Sequence, residues 1–199
     1  MTNREKYILS IYEELSDMGK HENVKLVKNT VNDGIYIKKT LKNYNIEIYK
    51  ILKNRQIKGI PKVYEIIEDE KELIIIEEYI HGLTLDKKYN KTDVETVKKI
   101  MEQLCNILKQ LHNMNPPIIH RDIKPTNIIV SNDDVVYLVD FNISREYDEN
   151  QSVDTVIMGT QGYASPEQCG FAQTDCRSDI YSIGMLMKNI LMVDEYPDK

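Results

Sequence analysis

The spacing of apolar residues changes near Gly82, and this change constrains the fold more than any other feature of the chain. Before Gly82 the apolar residues form short β-rich runs, separated by turn signals such as Asn32-Asp33-Gly34. One helical pattern, at about residues 44–54, lies among them. The runs cover residues 24–27, 35–37, 63–67 and 73–76. The first part of the chain is therefore predicted to be a small sheet with one helix.

After Gly82 the pattern is mainly helical. Thr92-Asp93-Val94-Glu95 has the form of a capping box, and apolar residues follow it at helical spacing toward Asn113. Two short strands and a last helix are predicted at residues 128–130, 135–139 and 179–191. We predict an α+β fold with a β-rich part, residues 1–80, and an α-rich part, residues 81–199.

Composition limits the classes of protein to consider. A chain of 199 residues that is 41% hydrophobic can bury a substantial core. A net charge of -6 gives no electrostatic footprint for nucleic acid. Cys105, Cys169 and Cys176 have no metal-ligand spacing and suit a reducing compartment. Neither a signal-like region nor a membrane segment is evident, so we expect a cytoplasmic protein.

Reactive side chains are concentrated in two short segments. The first is His120-Arg121-Asp122-Ile123-Lys124-Pro125-Thr126-Asn127, and the second, after one predicted strand and a turn, is Asp140-Phe141-Asn142. A carboxylate, a lysine, an amide and a second carboxylate are the groups that phosphoryl transfer from ATP requires. In this order and spacing the chain resembles the protein kinase family, in particular the bacterial Ser/Thr kinases of eukaryotic type.

The resemblance implies a two-lobed kinase fold, a small β-rich N-lobe and an α-rich C-lobe, that uses ATP and Mg²⁺ on protein Ser/Thr substrates. Asp122 would orient the substrate hydroxyl and accept its proton, and Lys124 would lie beside the moving phosphoryl group. Asn127 and Asp140 would hold magnesium. The alternative for Asp122 and Asn127 is turn formation, which does not require the accompanying His, Arg and Lys. His120 could be a base or a metal ligand, but by resemblance it supports Phe141.

Lys38 and Lys39 compete for contact with the α- and β-phosphates. The cofactor-facing lysine should share a strand face with the residue two positions earlier, which covers the adenine. Lys39 would place Ile37 there, whereas Lys38 would place Tyr36 there, so we choose Lys39. By resemblance its ion-pair partner is Glu47 on the first-part helix. The alternative is that Glu47 pairs with Lys50 or Arg55 on the helix surface.

The remaining nucleotide-binding residues follow from the resemblance. Gly19 alone survives from the glycine-rich loop, which would weaken the grip on phosphate. Glu78 and Ile80 would bond adenine through their backbones. Glu77 stands where most kinases have an apolar residue, and this carboxylate would need a partner, with Lys39 one candidate. The ring would lie among apolar side chains, namely Val24, Ile37 and Ile129.

An activation segment is implied before and within Gly159 to Glu167, where Ser165-Pro166-Glu167 stands for A-P-E. Thr160 would contact Asp122. Thr155 is our candidate autophosphorylation site, with its phosphate paired to Arg121; the alternative is an ordinary loop threonine. Asp179 would anchor the catalytic loop from beneath.

Family members continue through further helices, so the resemblance implies a C-lobe that lacks its last helices. Glu167 would then lack a buried partner, and Ile183, Leu186 and Ile190 would be exposed, which invites a partner protein to cover them. Two functions follow. The first is a Ser/Thr protein kinase; the second is a pseudokinase that binds nucleotide or protein, favoured by the eroded glycine-rich loop, Glu77 and Asn142.

Overall fold

A computed structural model gives the fold for residues 1–18, 23–69, 71–89, 92–147, 159–169 and 173–191. The chain divides into two compact units, residues 1–56 with 61–80, and residues 57–60 with 81–199. The α+β fold class predicted from the sequence is confirmed. The predicted division after residue 80 differs in one place, because residues 57–60 join the second unit. There Leu138 N donates to Gly59 O at 2.8 Å.

The first unit is an antiparallel sheet with two helices. Its five strands are ordered β1-β2-β3-β5-β4. The elements are α1 (Asn3–Ser10), β1 (Tyr12–Asp17), β2 (Val24–Asn29), β3 (Ile35–Leu41), α2 (Ile46–Asn54), β4 (Val63–Glu68) and β5 (Leu73–Glu78). The patterns predicted β2 to β5 and α2 and missed α1 and β1, because α1 buries no side chain and β1 is an exposed strand rich in acidic residues.

One face of this sheet carries the core. Along β3 the side chains of Ile37, Lys39 and Leu41 are buried, while their neighbours are half-buried on the other face. Helix α2 packs against β4 and buries Ile48, Tyr49 and Leu52. These three residues define the buried face of the helix, whereas its polar side chains, Glu47, Lys50, Lys53 and Asn54, are exposed.

The second unit is built around two long helices. Its elements are β6 (Gly82–Thr84), α3 (Leu85–Lys88), α4 (Val94–His112), β7 (Ile118–Ile119), β8 (Ile128–Ser131), β9 (Val136–Leu138), β10 (Arg145–Glu146) and α5 (Cys176–Leu191). Helix α4 packs against α5, β7 and β9. Its N-cap is Asp93, whose carboxylate accepts from Thr96 N at 2.9 Å, so the predicted capping box with Thr92 as the cap is wrong and the cap lies one residue later. The negative charge of an aspartate at this position also interacts favourably with the positive end of the helix dipole.

The apolar face of α5 differs from the prediction. Ile183, Leu186 and Ile190, which were expected to be exposed, are buried, because they lie on the side of α5 that packs against α4 and β7. The exposed large apolar residues of this helix are Ile180, Tyr181 and Met187. Within the described ranges, none of the helices has the length and apolar character needed to cross a bilayer.

A buried carboxylate on α5 fixes the backbone that follows β7. Asp179 is fully buried and accepts from His120 N and Arg121 N, each at 2.9 Å. Its Oδ2 also lies 2.8 Å from His112 Nε2 at the end of α4. Because two amides point at one carboxylate, the segment after β7 has a fixed direction as it leaves the core.

We predict that Asp179→Asn lowers the free energy of unfolding by about 3 kcal/mol, since an amide has one acceptor oxygen and turns an NH₂ group toward one of the two N–H donors. Urea denaturation followed by circular dichroism measures the loss. Asp86→Asn, an exposed aspartate in α3, is the matched control and should stay close to the parent. Equal stability of the two variants would contradict the anchoring role.

We also predict that Gly59→Ala destabilises the protein more than Gly162→Ala, by about 1–3 kcal/mol. Both glycines have a positive φ, 86° and 87°, so both variants carry the same backbone strain. A Cβ at Gly59 would lie 2.5 Å from the side chain of Ile107, whereas a Cβ at Gly162 meets nothing within 4 Å. Comparison of the two denaturation midpoints isolates the steric cost, and equal midpoints would show that Ile107 moves aside freely.

Candidate active site

Four side chains of the second unit form a closed hydrogen-bond network around Asp122. Thr160 Oγ1 donates to Asp122 Oδ1 at 2.7 Å, and Lys124 Nζ donates to Asp122 Oδ2 at 2.8 Å and to Thr160 Oγ1 at 2.9 Å. Asn127 Nδ2 donates to Asp122 Oδ2 at 2.9 Å and to its backbone oxygen at 3.0 Å. Both carboxylate oxygens are thus held in place, which fixes the direction in which Asp122 can accept a further proton donor.

Asp140 is connected to this network through the backbone of its neighbour, Val139. Strands β8 and β9 are antiparallel, and Val139 N donates to Asn127 O at 2.9 Å, so Asp140 directly follows a residue bonded to Asn127. Asp140 Oδ1 is buried without a hydrogen-bond partner among the described residues. Asn127 uses its amide nitrogen on Asp122, which leaves its side-chain oxygen for another contact.

These two oxygens suit magnesium, which prefers carboxylate and amide oxygen ligands. An orphaned, buried carboxylate oxygen is costly unless a cation or donor satisfies it. Across the described part of the chain, no three His, Cys, Asp or Glu side chains lie close enough to hold a metal ion alone. A magnesium ion at Asn127 and Asp140 would therefore need further oxygen ligands, as phosphates and water supply.

Both ring nitrogens of His120 contact backbone groups. Its Nδ1 accepts from Asp122 N at 3.3 Å and its Nε2 lies 3.1 Å from Val139 O, so the proton is on Nε2 and both ring nitrogens are used. Burial lowers the pKa of His120 below its usual value, which keeps the ring neutral. The ring meets buried Phe141 edge-on, with centroids 4.7 Å apart. Neither ring nitrogen of His120 is therefore free to act as a base or to bind a metal ion.

Side chains also hold the backbone around Arg121. Arg121 has a φ of 69°, and its side chain donates to Ile143 O at 3.4 Å. Gln168 Nε2 donates to Arg121 O at 2.7 Å, and Ser144 Oγ donates to His120 O at 3.0 Å. Neither Gln168 nor His112 was singled out from the sequence, since nothing in their neighbourhood predicts a partner 47 or 67 residues away.

In the first unit, Lys39 pairs with Glu77. Lys39 Nζ lies 2.6 Å from Glu77 Oε1, and the two side chains are only 9% and 10% exposed. Lys38 lies on the opposite face of β3, where it pairs with Glu14 at 2.8 Å. This alternation favours Lys39 as the lysine that faces a nucleotide.

The predicted ion pair between Lys39 and Glu47 is wrong. Glu47 lies in the first turn of α2, its side chain is 58% exposed, and it pairs with Lys50 at 2.7 Å. Ile48, Tyr49 and Leu52 form the buried face of α2, and Glu47 lies outside that face, on the surface of the helix. The alternative from the sequence, a surface pair with Lys50, is the one observed.

The other nucleotide-binding candidates are placed as follows. In the first unit Ile37 and Ile80 are buried and Val24 is half-buried, while Glu78 N donates to Lys62 O at 2.8 Å. In the second unit Ile129 is half-buried. Gly19 and Thr155 lie outside the described residues.

Asn142 and Glu167 are the last two motif residues to be placed. Asn142, which stands where the family motif D-F-G has glycine, does not have a positive φ; Asp140 does, at 70°. The turn therefore has no need of glycine at Asn142. Glu167 Oε2 is buried without a hydrogen-bond partner among the described residues.

Comparison with known proteins agrees with this geometry. The family model for the protein kinase domain matches residues 14–197. A protein named probable serine/threonine-protein kinase from Clostridium acetobutylicum is 35% identical over 131 residues, which cover 65% of this chain and 20% of that protein. Serine/threonine-protein kinase D of Synechocystis is 33% identical over 133 residues, covering 63% of this chain and 26% of that protein.

A third relative is serine/threonine-protein kinase PknB of Mycobacterium tuberculosis, which is 36% identical over 121 residues, or 59% of this chain and 19% of that protein. The chain thus spans about a fifth to a quarter of the length of these relatives. The family model covers most of this chain, including both segments of reactive residues. The chain belongs to the protein kinase domain family.

Proposed function

We propose that this chain transfers the γ-phosphoryl group of ATP to serine or threonine hydroxyls of proteins. The observation that carries the proposal is the network in which Asp122 is held by Lys124, Asn127 and Thr160. A base for proton transfer must be fixed in direction and able to reach a substrate hydroxyl, and this network supplies the first requirement.

Each residue has a separate task in this proposal. Asp122 accepts the proton of the substrate hydroxyl, and Lys124 offsets negative charge on the phosphoryl group as it moves. Magnesium held by Asn127 and Asp140 would neutralise charge on the phosphates. In the first unit, Lys39 contacts the α- and β-phosphates, and the backbones of Glu78 and Ile80 bond adenine.

The lysine at position 124 supports Ser/Thr rather than tyrosine specificity, because a lysine there resembles Ser/Thr kinases, and the relatives are named as Ser/Thr kinases. Its bond to Thr160 also matters, because the hydroxyl at position 160 touches both Asp122 and Lys124. Thr160 thereby fixes the position of Lys124 relative to the carboxylate of Asp122, and it acts as a positioning residue.

Asp122→Asn is expected to reduce phosphate transfer by about 10²–10⁴-fold, since the amide keeps the shape of the side chain but cannot accept the proton. The measurement is magnesium-dependent incorporation of labelled phosphate from ATP into the protein itself and into a generic Ser/Thr substrate. Asp134→Asn, an exposed aspartate that pairs with Lys88, is the control and should match the parent. Equal incorporation by Asp122→Asn and the parent would refute the enzyme and favour the pseudokinase.

Thr160→Val should lower kcat by roughly 10-fold, because it removes hydrogen bonds to the Asp122 carboxylate and to Lys124 while conserving the volume of the side chain. Thr160→Ser keeps the hydroxyl and should retain most of the activity. Steady-state kinetics at saturating ATP and magnesium compare the three proteins. A Ser variant as poor as the Val variant would show that the methyl group, rather than the hydroxyl, is what the site uses.

A further inference from the structure

The buried ion pair of the first unit joins two neighbouring strands. Strands β3 and β5 are antiparallel, with Ile37 opposite Glu77 and Lys39 opposite Ile75. Side chains of opposite residues share a face, so Ile37, Glu77 and Lys39 lie on the same side of the sheet. Glu77 is the diagonal neighbour of Lys39, within reach of its long side chain, and the contact is 2.6 Å.

Helix α2 does not provide the carboxylate for this pair. Glu47 is the only acidic residue of α2, and it is bonded to Lys50 on the exposed side of the helix. A side chain that is 58% exposed and engaged with its own helix gains little from an ion pair. The buried ammonium of Lys39, by contrast, needs a compensating charge because burial disfavours its charged form.

We propose that Glu77 is the positioning residue for Lys39, in the place that the family resemblance gave to Glu47. The proposal rests on the function proposed above, in which Lys39 contacts phosphate. Both partners belong to one hydrogen-bonded sheet, so the position of the lysine is set by strand pairing and does not depend on where α2 lies. An ammonium has three N–H donors, so its pairing with Glu77 is compatible with contacts to phosphate oxygens.

As a consequence, Lys39 is held in position for contact with phosphate without any movement of α2. In a site whose ion pair spans a strand and a helix, displacement of the helix separates the charges and misplaces the lysine. Here the two charges are carried by strands that pair along their length. Regulation of this chain by movement of α2 would therefore leave Lys39 in place.

The test compares Glu77→Gln with Glu47→Gln, using Glu13→Gln on the exposed strand β1 as the matched control. Glu77→Gln should lower kcat/KM for ATP by roughly 10- to 100-fold, since a displacement of about 1 Å at a catalytic group has effects of this size. Glu13→Gln should stay at the level of the parent. Glu47→Gln should have a much smaller effect than Glu77→Gln. The reverse order in folded proteins would overturn the proposal.

A double-mutant cycle separates positioning from general damage to the sheet. Lys39→Met, Glu77→Leu and the double variant are compared for binding of a fluorescent ATP analogue and for thermal unfolding. The double variant removes both charges and leaves an apolar pair, so it should be at least as stable as either single variant. Coupling between the two positions in nucleotide binding is expected; additive losses would overturn the proposal.

The binding measurement also distinguishes this inference from the proposed function. Absence of phosphate transfer in the parent, or equal transfer by Asp122→Asn, refutes the kinase activity. Binding of the ATP analogue needs no phosphate transfer. In that case the affinities of Glu77→Gln and Glu47→Gln for the analogue can still be compared. A parent that transfers phosphate while Glu77→Gln binds and turns over normally refutes the inference alone.

Discussion

The buried carboxylate of Asp179 is the constraint on which the second unit depends. It accepts from two successive backbone amides, at His120 and Arg121, and Arg121 has a left-handed backbone. A strained residue of this kind persists only when its surroundings over-determine it. The backbone oxygens of the same two residues are bound by Ser144 and Gln168. All four backbone polar groups are therefore held by side chains from separate parts of the chain.

This arrangement explains why the position of the Asp122 carboxylate is so well defined. The residue that follows Arg121 inherits a fixed direction, and Lys124, Asn127 and Thr160 then hold its carboxylate. The position of the Asp122 carboxylate is thus fixed twice, first through its backbone and then through hydrogen bonds to its side chain. Reactive groups held in this way lose little entropy when a substrate binds, which is the main benefit of pre-organisation.

The sequence predicted most of the framework because apolar periodicity reports burial directly. It identified β2 to β5, α2 and α4, and alternation along β3 gave a reason to choose Lys39 over Lys38. It missed β1, whose exposed acidic residues show no alternation. The prediction failed for Glu47, because the direction of a helical side chain depends on which face of the helix is packed.

Long-range polar partners were mostly beyond sequence reasoning. Nothing near His112 indicates that its ring bonds a carboxylate 67 residues later on another helix. The same applies to the apolar residues of α5: a helical pattern gives the stripe but not what lies against it, so Ile183 and Leu186 were expected to be exposed and are buried. By contrast, Asp179 could be assigned its anchoring place because a whole family motif surrounds it.

The positive φ of Asp140 affects how substitutions at this position should be read. An alanine scan would combine two losses there, since alanine removes the carboxylate and also resists the left-handed backbone. Asparagine tolerates that backbone and differs only in charge and in one ligand atom. It is therefore the replacement that separates the chemistry of the side chain from the geometry of the chain.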